Sequence, residues 1–567
     1  MPAMLVRLLS FVFRLLVLPL WAPLWFLRRR VREGAWLHLT VEGPVVDYAQ
    51  RRFFAFAPAP ASVHGLELLV AQIAKDPRIR GLLVTIRSFG GGMATATSYR
   101  DVLAKIAASG RQVVVHLPLG GDTKELYVAS AANRILVGPQ STIAPLGFAS
   151  STRYFKRALA KAGLEPQIIS RGAFKSAGET LVRDSMSEPQ REQLGAILDQ
   201  FYEELVSALA QGRKVDEGRA RGWVDEAPYR GSAAKEAGLV DDVAYEDELP
   251  ALLGSKEHPA LILDAPGYYA RQTTRLLPAL GAPSFVAIVA VHGTISGGAR
   301  QAVAMDDRVI GTIRLARMNR RVRAVVLHVN SPGGSALASD RMYHELLQLA
   351  RDKPLIACFS DVAASGGYYV AAAAQHIVAQ RTTITGSIGV ISARVAADPL
   401  MDRLGIVTES LTRGARAKLL DPMHRLSEDE THAIDTEIGG MYDAFVDIVA
   451  RGRKRERAEI QRVAQGRVWT GRDAQTHGLV DELGGLRTAL IAARSRAGLH
   501  ELAPVAVLRA PPWSRIPPLP LPRSAAASED HLLGRVLAFF GVDVDLFHLL
   551  QGRERVLLLS ELARLLF

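Results

Sequence analysis

Continuous apolar runs alternate with turns and amphipathic segments in the second half of the chain. Phe285–Val291, Ala324–Val329 and Pro354–Phe359 each predict a strand that is buried on both faces. Helical segments are predicted at Ala336–Ala350 and Gly366–Ala374. Strands of this kind, alternating with helices through glycine-rich turns, predict an α/β fold with a parallel sheet.

The same pattern occurs twice, because many positions recur at an offset of 242 residues without gaps. The matching positions are Tyr369–Ala371 on Tyr127–Ala129, Gly389 on Gly147, Gly405 on Gly163 and Arg413-Gly414 on Arg171-Gly172. Each copy spans about 200 residues, a usual size for one domain. An internal repeat fixes the architecture before any single element does, so we expect two tandem copies of one domain.

Composition along the chain predicts six segments. An apolar N-terminal segment occupies 1–34, the first repeat 35–255 and a linker 256–284. The second repeat occupies 285–500, and a proline-rich linker follows at 501–530. An apolar tail at 531–567 predicts short helices.

Charge and cysteine content narrow the classes of protein. The 567 residues carry a formal net charge of +12, which suits a nucleic acid or an anionic membrane surface. No helix-turn-helix, zinc-finger spacing or RNA-binding motif accompanies the charge, so we predict no nucleic-acid partner. The one cysteine, Cys358, lies in an apolar run and is interpreted as a buried strand residue.

The N-terminal segment predicts attachment to a membrane. Its longest uncharged stretch, Leu15–Leu27, has 13 residues, fewer than the roughly 20 that a straight span needs. Arg7 and Arg14 interrupt the apolar run, and Arg28–Arg32 follows it with four arginines. The segment is therefore either a tilted anchor or a helix in the interface, and its orientation is open.

Ser365 is the first candidate for chemistry. It stands between a predicted strand and a helix, followed by Gly366 and Gly367, which permit a tight turn and leave a hydroxyl accessible. By itself such a serine is more often a helix N-cap. A second glycine turn, Asn330–Gly334, also follows a strand, so one module could supply both a nucleophile and backbone N–H groups for an oxyanion.

A serine nucleophile needs a base, and two kinds are available. His376, and His424 with Asp421, are histidine candidates without a supporting pattern, and no metal-binding motif is present. Lys175 is the other candidate, because a lysine shielded from water can be neutral. The repeat places Ala417 opposite Lys175, so each copy holds half of a possible dyad.

Four motifs together resemble the signal peptide peptidase A (protease IV) family in its long two-repeat form, within the Clp protease/crotonase superfamily. They are Asp361–Tyr369, Asn330–Gly334, Thr385–Val390, and Phe174–Ala177 with the following Arg183–Ser187. The similarity covers about residues 35–500. It implies two repeats built from β-β-α spiral units.

The resemblance also implies roles for six residues. Ser365 would be the nucleophile, Lys175 the general base, and Ser387 would orient the amine. Gly366, with Gly333 or Gly334, would supply oxyanion N–H groups. No cofactor or metal is expected.

The family's members are anchored in the cell inner membrane with a periplasmic catalytic body, assemble as homotetramers and take apolar peptides such as cleaved signal peptides.

Three alternatives remain from the residues alone. Ala363–Gly367 fits the nucleophile turn of a Ser-His-Asp α/β-hydrolase. The others are an acyl-CoA enzyme of the crotonase type and a catalytically silent membrane scaffold.

Overall fold

The chain divides into two compact units whose boundary does not follow the repeats. The computed structural model describes residues 11–49, 61–277, 283–297, 304–421, 424–509 and 556–559. One unit comprises Met1–Ala149 and Leu198–Ser284, and the other comprises Ser150–Ile197 and Phe285–Phe567. The stretch 150–197, which the sequence assigns to the first repeat, therefore groups with the second half of the chain.

A parallel sheet forms the centre of the first unit. Its strands lie in the order Asp242–Val243, Arg134–Val137, Gln112–Leu117, Ile79–Ile86, Ala35–Val41 and Ile262–Asp264. Parallel neighbours need crossover connections, and helices supply them. Further strands of this unit are Val45–Val46, Ala61–Ser62, Gly120–Asp122, Thr142–Ala144 and Tyr229–Arg230.

The main sheet of the second unit has the same strand order. Its strands lie in the order Glu482–Leu483, His376–Ala379, Leu355–Ala364, Val322–Ser331, Phe285–His292 and Val505–Val507. The end of Leu355–Ala364 also pairs with Ile384–Gly386, which pairs antiparallel with Val468–Thr470. All ten residues of Leu355–Ala364 are buried, as expected for an apolar strand that is covered on both faces of a parallel sheet.

A second sheet in this unit lies beside the glycine turn that follows Val322–Ser331. Its order is Ala304–Met305, Ile295–Ser296, Gly333–Ser335, Val556–Leu559, Val390–Ala396 and Glu165–Arg171. The last two strands pair antiparallel over seven residues, from Val390 opposite Arg171 to Ala396 opposite Glu165. This ladder attaches the 150–197 stretch to the second half of the chain.

Helices cover the sheets of both units. Those of the first unit are Leu18–Arg28, Val63–Ile73, Met93–Ala108, Thr123–Ala129, Glu217–Asp225, Gly231–Glu236, Leu249–Leu253 and Ala265–Thr273, with a 3-10 turn at Glu246–Glu248. Helix Glu188–Arg213 contains the division between the units. Those of the second unit are Lys156–Lys161, Glu179–Val182, Asp306–Met318, Ala336–Asp352, Gly366–Ala371, Asp398–Arg403, Glu428–Arg453, Arg457–Val463, Gly471–Thr476 and Leu486–Arg496.

Several elements differ from the sequence expectations. Strand Ile262–Asp264 and helix Ala265–Thr273 lie within the predicted linker 256–284, where the Asp264 side chain caps the helix by accepting from Gly267 N. Strand Val505–Val507 lies at the start of the predicted linker 501–530. Both strands are short apolar runs that complete the edge of a sheet.

The predicted helical tail 531–567 is described only at Val556–Leu559, and these four residues form a strand instead of a helix. Two neighbouring strand edges supply backbone partners there, which overrides a helical preference. The rest of the tail lies outside the described residues. Among those that are described, no helix combines the length and apolarity needed to cross a membrane.

Candidate active site

Ser365 stands at the end of a ten-residue strand of the main sheet, in a strained turn. It follows Leu355–Ala364 and precedes helix Gly366–Ala371, and its backbone φ is +54°. Such a φ costs a non-glycine residue on the order of 1–3 kcal/mol, and strain of this kind clusters at functional sites. A side chain at Gly366 would come within 2.6 Å of Ser339 Oγ, so the turn requires glycine there.

The Lys175 amine reaches Ser365 within one chain. Lys175 lies in the turn after strand Glu165–Arg171, and its Nζ is 2.8 Å from Ser365 Oγ. The same amine donates to Ser387 O at 3.0 Å and contacts Ser387 Oγ at 3.1 Å. The structure therefore brings together the three side chains that the sequence singled out, as a single hydrogen-bonded cluster.

The cluster is shielded from solvent. Lys175, Ser365 and Ser387 are 5%, 0% and 2% exposed. Removal from water disfavours the ammonium form, and among the residues that the structure describes no carboxylate is hydrogen-bonded to the amine. Burial consequently lowers the pKa of the Lys175 amine well below its usual range. A neutral amine next to a hydroxyl can accept the hydroxyl proton.

Two glycines that the sequence did not single out for the site enclose the Lys175 stem. A side chain at Gly466 would come within 2.7 Å of Lys175 Cβ, and one at Gly389 within 3.1 Å of its Cδ. The lysine turn is also fixed by the backbone, since Phe174 N donates to Gln465 O at 2.8 Å. The aliphatic stem therefore passes through a channel that any larger residue would obstruct.

Gln193 is a further residue that sequence reasoning missed. Its amide donates to Phe174 O at 3.1 Å and to Ser176 Oγ at 3.2 Å, on both sides of Lys175. Its oxygen accepts from Val468 N at 3.1 Å. A glutamine within an amphipathic helix gives no sequence signal for this role, because only the tertiary structure places it against the lysine turn.

Ser387 has its own backbone constraint. Its φ is +51°, and its N–H donates to Arg467 O at 2.7 Å. The strained conformation directs both its carbonyl and its hydroxyl toward the amine of Lys175. Both groups lie within hydrogen-bond distance of the amine, and the resemblance assigns to this serine the task of orienting it.

The two glycines of the neighbouring turn lie beside the start of the serine helix. A side chain on Gly366 would come within 3.2 Å of Gly333 Cα and 3.3 Å of Gly334 N. Gly333 N already donates to Ser331 Oγ at 3.2 Å. Gly366 begins its helix, so its N–H has no acceptor within that helix. The predicted oxyanion glycines thus lie adjacent to Ser365.

Comparison with known proteins gives this arrangement a family. The family model for peptidase family S49 matches residues 106–257 and again 348–500. The chain belongs to peptidase family S49. The two matches fall in the two halves of the sequence. A serine protease of the SPPA type from the Arabidopsis thaliana chloroplast is 33% identical over 483 residues, covering 83% of this chain and 70% of that protein.

Bacterial proteins are also similar to this chain. Protease 4 of Haemophilus influenzae is 30% identical over 451 residues, covering 76% of this chain and 72% of that protein. A putative signal peptide peptidase SppA of Enterococcus faecium is 36% identical over 173 residues, covering 30% of this chain and 50% of that protein. This S49 protein is a serine peptidase, as the sequence predicted.

The histidine candidates of this S49 peptidase are engaged elsewhere. His376 Nε2 lies 2.9 Å from Glu482 Oε2, and His424 Nε2 lies 3.0 Å from Glu430 Oε2. The helix after Ser365 ends at Ala371, earlier than the predicted Ala374, and His376 begins the next strand. Among the described residues, no cluster of side chains could hold a metal ion.

The equivalent position of the first unit lacks this chemistry. Thr123 occupies the place of Ser365, and its hydroxyl donates to Gly147 O at 3.1 Å. The Glu125 carboxylate accepts from Phe89 N at 2.8 Å, in the turn that matches Asn330–Gly334. Burial, with Asp122 beside it, raises the pKa of the Glu125 carboxyl to about 7. In the first unit a carboxyl group therefore bonds the matching glycine turn, from the repeat position that Gly367 holds in the second unit.

A strand from the C-terminal tail lies in the S49 site. Val556–Leu559 pairs antiparallel with Gly333–Ser335 on one side and with Val390–Ala396 on the other. Leu559 is opposite Gly333, so the strand approaches the serine turn with its C-terminal end. A cleft of about 470 Å³ borders Lys175 and contains Ile168, Val182 and Glu179 in its lining.

Proposed function

We propose that this serine peptidase is a Ser/Lys-dyad endopeptidase that cleaves apolar peptides. The observation that carries the proposal is the 2.8 Å separation between Lys175 Nζ and Ser365 Oγ in a buried site. A base that accepts a proton from a serine must be within hydrogen-bond reach of it and must be neutral. The geometry supports the first condition and burial supports the second.

In the proposed reaction, Ser365 Oγ attacks the carbonyl carbon of a peptide bond while its proton passes to Lys175 Nζ. The resulting ammonium then gives that proton to the leaving amine as the C–N bond breaks. Water repeats both transfers on the acyl-enzyme, which releases the acid and restores the serine. Ser387 O and Oγ hold the amine in line throughout.

The tetrahedral oxyanion would be stabilised by backbone N–H groups. We assign this to Gly366 and one glycine of the pair Gly333 and Gly334. Gly366 supports the assignment because its N–H lies at a helix start next to the nucleophile. One oxyanion donor is worth about 10²–10³ in kcat.

The substrate is proposed to bind as an extended strand. The edges of Gly333–Ser335 and Val390–Ala396 stand one strand apart, and Val556–Leu559 shows that an extended segment fits between them. Backbone pairing of this kind gives affinity without a particular sequence. The tail segment itself is Val-Leu-Leu-Leu, and a relative bears the name signal peptide peptidase, which together favour apolar peptides such as cleaved signal peptides.

A pair of synthetic peptides tests this function. We expect the detergent-solubilised full chain to cleave a peptide with a leucine-rich core of ten residues internally, with fragments identified by mass spectrometry. A matched peptide with lysine at alternate core positions should be cleaved at least about tenfold more slowly, since each buried apolar side chain contributes about 1.5–3 kcal/mol. Equal cleavage of the two peptides would contradict the proposed preference, and no cleavage of either would contradict the function.

We further propose that 35–255 and 285–500 are Clp/crotonase-like repeats of β-β-α spiral units, and that the chain acts as a homotetramer. The common strand order of the two main sheets supports the repeats. Superposition of an experimental structure on a Clp-type subunit would test the fold, and an oligomer mass other than four chains in a sedimentation measurement would contradict the tetramer.

The N-terminal segment 1–34 is proposed to hold the enzyme at the cell inner membrane, with a periplasmic catalytic body. In helix Leu18–Arg28 no residue is buried, and Leu20 and Phe26 are 76% and 62% exposed. Trp21 lies under the guanidinium groups of Arg14 and Arg28. Exposed apolar residues beside tryptophan and arginine are typical of a helix that meets a lipid interface.

Vesicle flotation tests this attachment. We expect the full chain to float with vesicles containing anionic lipid, and the double substitution Leu20→Asp and Phe26→Asp to leave most of it in the soluble fraction. The control is Leu119→Asp, since Leu119 is 71% exposed in a different part of the chain. Flotation that is the same for all three proteins would contradict a role for this helix.

Digestion by an added protease would test whether the catalytic body faces the periplasm.

A further inference from the structure

Residues 465–469, here called the bridge segment, lie between the lysine turn and Ser387. On one side, Gln465 O accepts from Phe174 N at 2.8 Å, directly before the lysine. On the other side, Arg467 O accepts from Ser387 N at 2.7 Å. One short segment therefore connects the turn that carries the amine to the serine that the amine contacts.

The Arg467 side chain extends from the bridge segment to the lysine turn. Its guanidinium carbon lies 4.7 Å from the ring centroid of Phe174 and 4.4 Å from that of Trp469. Its Nη1 donates to Glu192 Oε1 at 2.6 Å. A guanidinium over an aromatic ring is attracted to the ring face, and its flat shape suits stacking better than an ammonium group does. Arg467 therefore contacts the lysine turn with its side chain and Ser387 with its main chain.

The ring contacts should matter more than the ion pair. The Glu192 side chain is 51% exposed, and an ion pair that is open to solvent contributes little. Trp469 is held in place, because its Nε1 donates to Val463 O at 2.9 Å. Arg467 thus joins the Phe174 ring to an anchored ring of the bridge segment.

The repeat gives an internal comparison for this contact, because the position that matches Lys175 is Ala417. The offset is 242 for the lysine turn and 240 for the bridge segment, where Ala237–Asp241 matches His477–Asp481. The corresponding residues are Arg416 for Phe174, Ile434 for Glu192 and Ala227 for Arg467. All three side chains of the contact are replaced in the set that corresponds to the alanine, so the contact accompanies the lysine.

We propose that Arg467 is a positioning residue that keeps Lys175 and Ser387 at hydrogen-bond distance from each other. It acts through the Phe174 ring and through its own carbonyl, and not on the amine directly. An amine that leaves this position loses its reach to Ser365 and gains access to water. The inference rests on the proposed Ser/Lys reaction, since the position of the amine matters for cleavage only if the amine is the base.

The groups around the amine determine how pH should report this role. The charged side chains near the lysine turn are Arg171, Glu179, Arg183, Glu192 and Arg467. Among the described residues none of them is hydrogen-bonded to the amine, and burial is what lowers the pKa of Lys175. A looser turn that admits water should raise this pKa toward its usual range. The limb of activity that requires the neutral amine should then move to higher pH.

Two variants test the positioning role. Arg467→Met removes the guanidinium and keeps an unbranched stem, whereas Phe174→Leu removes the ring and changes no charge. In both we expect kcat on the leucine-rich peptide to fall about 10-fold to 100-fold, because a misplacement of about 1 Å can cost that much. KM should change less than about twofold, since the loss concerns the transition state. The limb should move up by about half a pH unit or more, and in Phe174→Leu a lost charge cannot be the cause.

Two further measurements support the comparison. The rate at which a fluorophosphonate labels Ser365 should fall in parallel with kcat, because it reports activation of the hydroxyl without peptide binding. Arg467→Lys keeps the charge but not the flat stacking face, so its rate should lie between those of the wild type and Arg467→Met. This variant also keeps the test available if Arg467→Met does not fold.

Arg321→Met is the matched control. Arg321 also lies over an aromatic ring, 5.5 Å from the centroid of Phe285. Phe285 begins its strand, whereas Ser365 follows the end of a strand in the same parallel sheet, so this contact lies at the other end of the sheet. The control should keep the wild-type rate and pH profile, and Glu192→Gln should change kcat less than about twofold.

Lys175→Met, measured beside these variants, separates this inference from the proposed function. If it loses the pH limb while Arg467→Met and Phe174→Leu keep the wild-type rate and profile, the positioning role alone is overturned. A loss of rate in both variants without movement of the limb marks a merely structural role and also overturns it. An unchanged profile in Lys175→Met overturns the dyad, and the positioning role with it.

Discussion

Replacing Ser365 with alanine should abolish peptide cleavage while leaving the fold intact. Alanine removes only the hydroxyl that attacks the carbonyl, and loss of a serine nucleophile costs on the order of 10⁶ in kcat in other serine peptidases. Relief of the positive φ is small for alanine, so we expect little change in the thermal midpoint. The measurement is kcat/KM on the leucine-rich peptide, together with covalent labelling by a fluorophosphonate and identification of the modified residue.

The matched control for this substitution is Ser360→Ala. Ser360 is buried in the same strand, five residues before Ser365. Its loss should leave cleavage and labelling nearly unchanged. Loss of a nucleophile should leave far less than about 1% of the wild-type kcat/KM. A Ser365→Ala protein that retains more than this activity would contradict the assignment.

Replacing Lys175 with methionine should reduce kcat by roughly 10²–10⁴, the usual contribution of a positioned general base. Methionine retains an unbranched stem for the channel at Gly389 and Gly466 but has no proton acceptor of comparable strength. The wild-type kcat/KM should be low at low pH, where the amine is an ammonium. It should rise as the pH passes the lowered pKa of Lys175. The Lys175→Met protein should lose this limb of the profile.

Lys418→Met is the control, since Lys418 stands one place from the position that matches Lys175 in the second repeat. It should retain the wild-type rate and pH profile. An unchanged profile in Lys175→Met would exclude the dyad. Loss of activity in His376→Ala or His424→Ala would instead favour the Ser-His-Asp alternative.

The sequence was enough to predict Ser365 and the strand and helix on either side of it, because the signal for them is local. An apolar run predicts the strand, two glycines predict the turn, and the strand proves to continue to Ala364, directly before the serine. The helix after the serine ends three residues earlier than predicted, since nothing local distinguishes Ala371 from Ala374 in a run of alanines.

Lys175 was reachable only through the repeat and the family resemblance. No local pattern marks it, since it lies in an irregular turn. Its chemistry depends on a ladder between residues more than two hundred positions apart. Gln193 and Gly466 were missed for the same reason, because only the tertiary structure places Gln193 against the neighbours of Lys175 and Gly466 against its stem.

The C-terminal strand in the site has a consequence for how a substrate enters. Val556–Leu559 completes the sheet between Gly333–Ser335 and Val390–Ala396, and it pairs with all three residues of the first strand and with Ile391 and Ser392 of the second. An incoming peptide that binds as the proposed extended strand would have to displace the chain's own terminus. Because the displaced segment belongs to the same chain, an intramolecular partner would compete with the peptide for these edges. Under the proposed function, the tail would thus set a concentration that a free peptide has to exceed before it occupies the site.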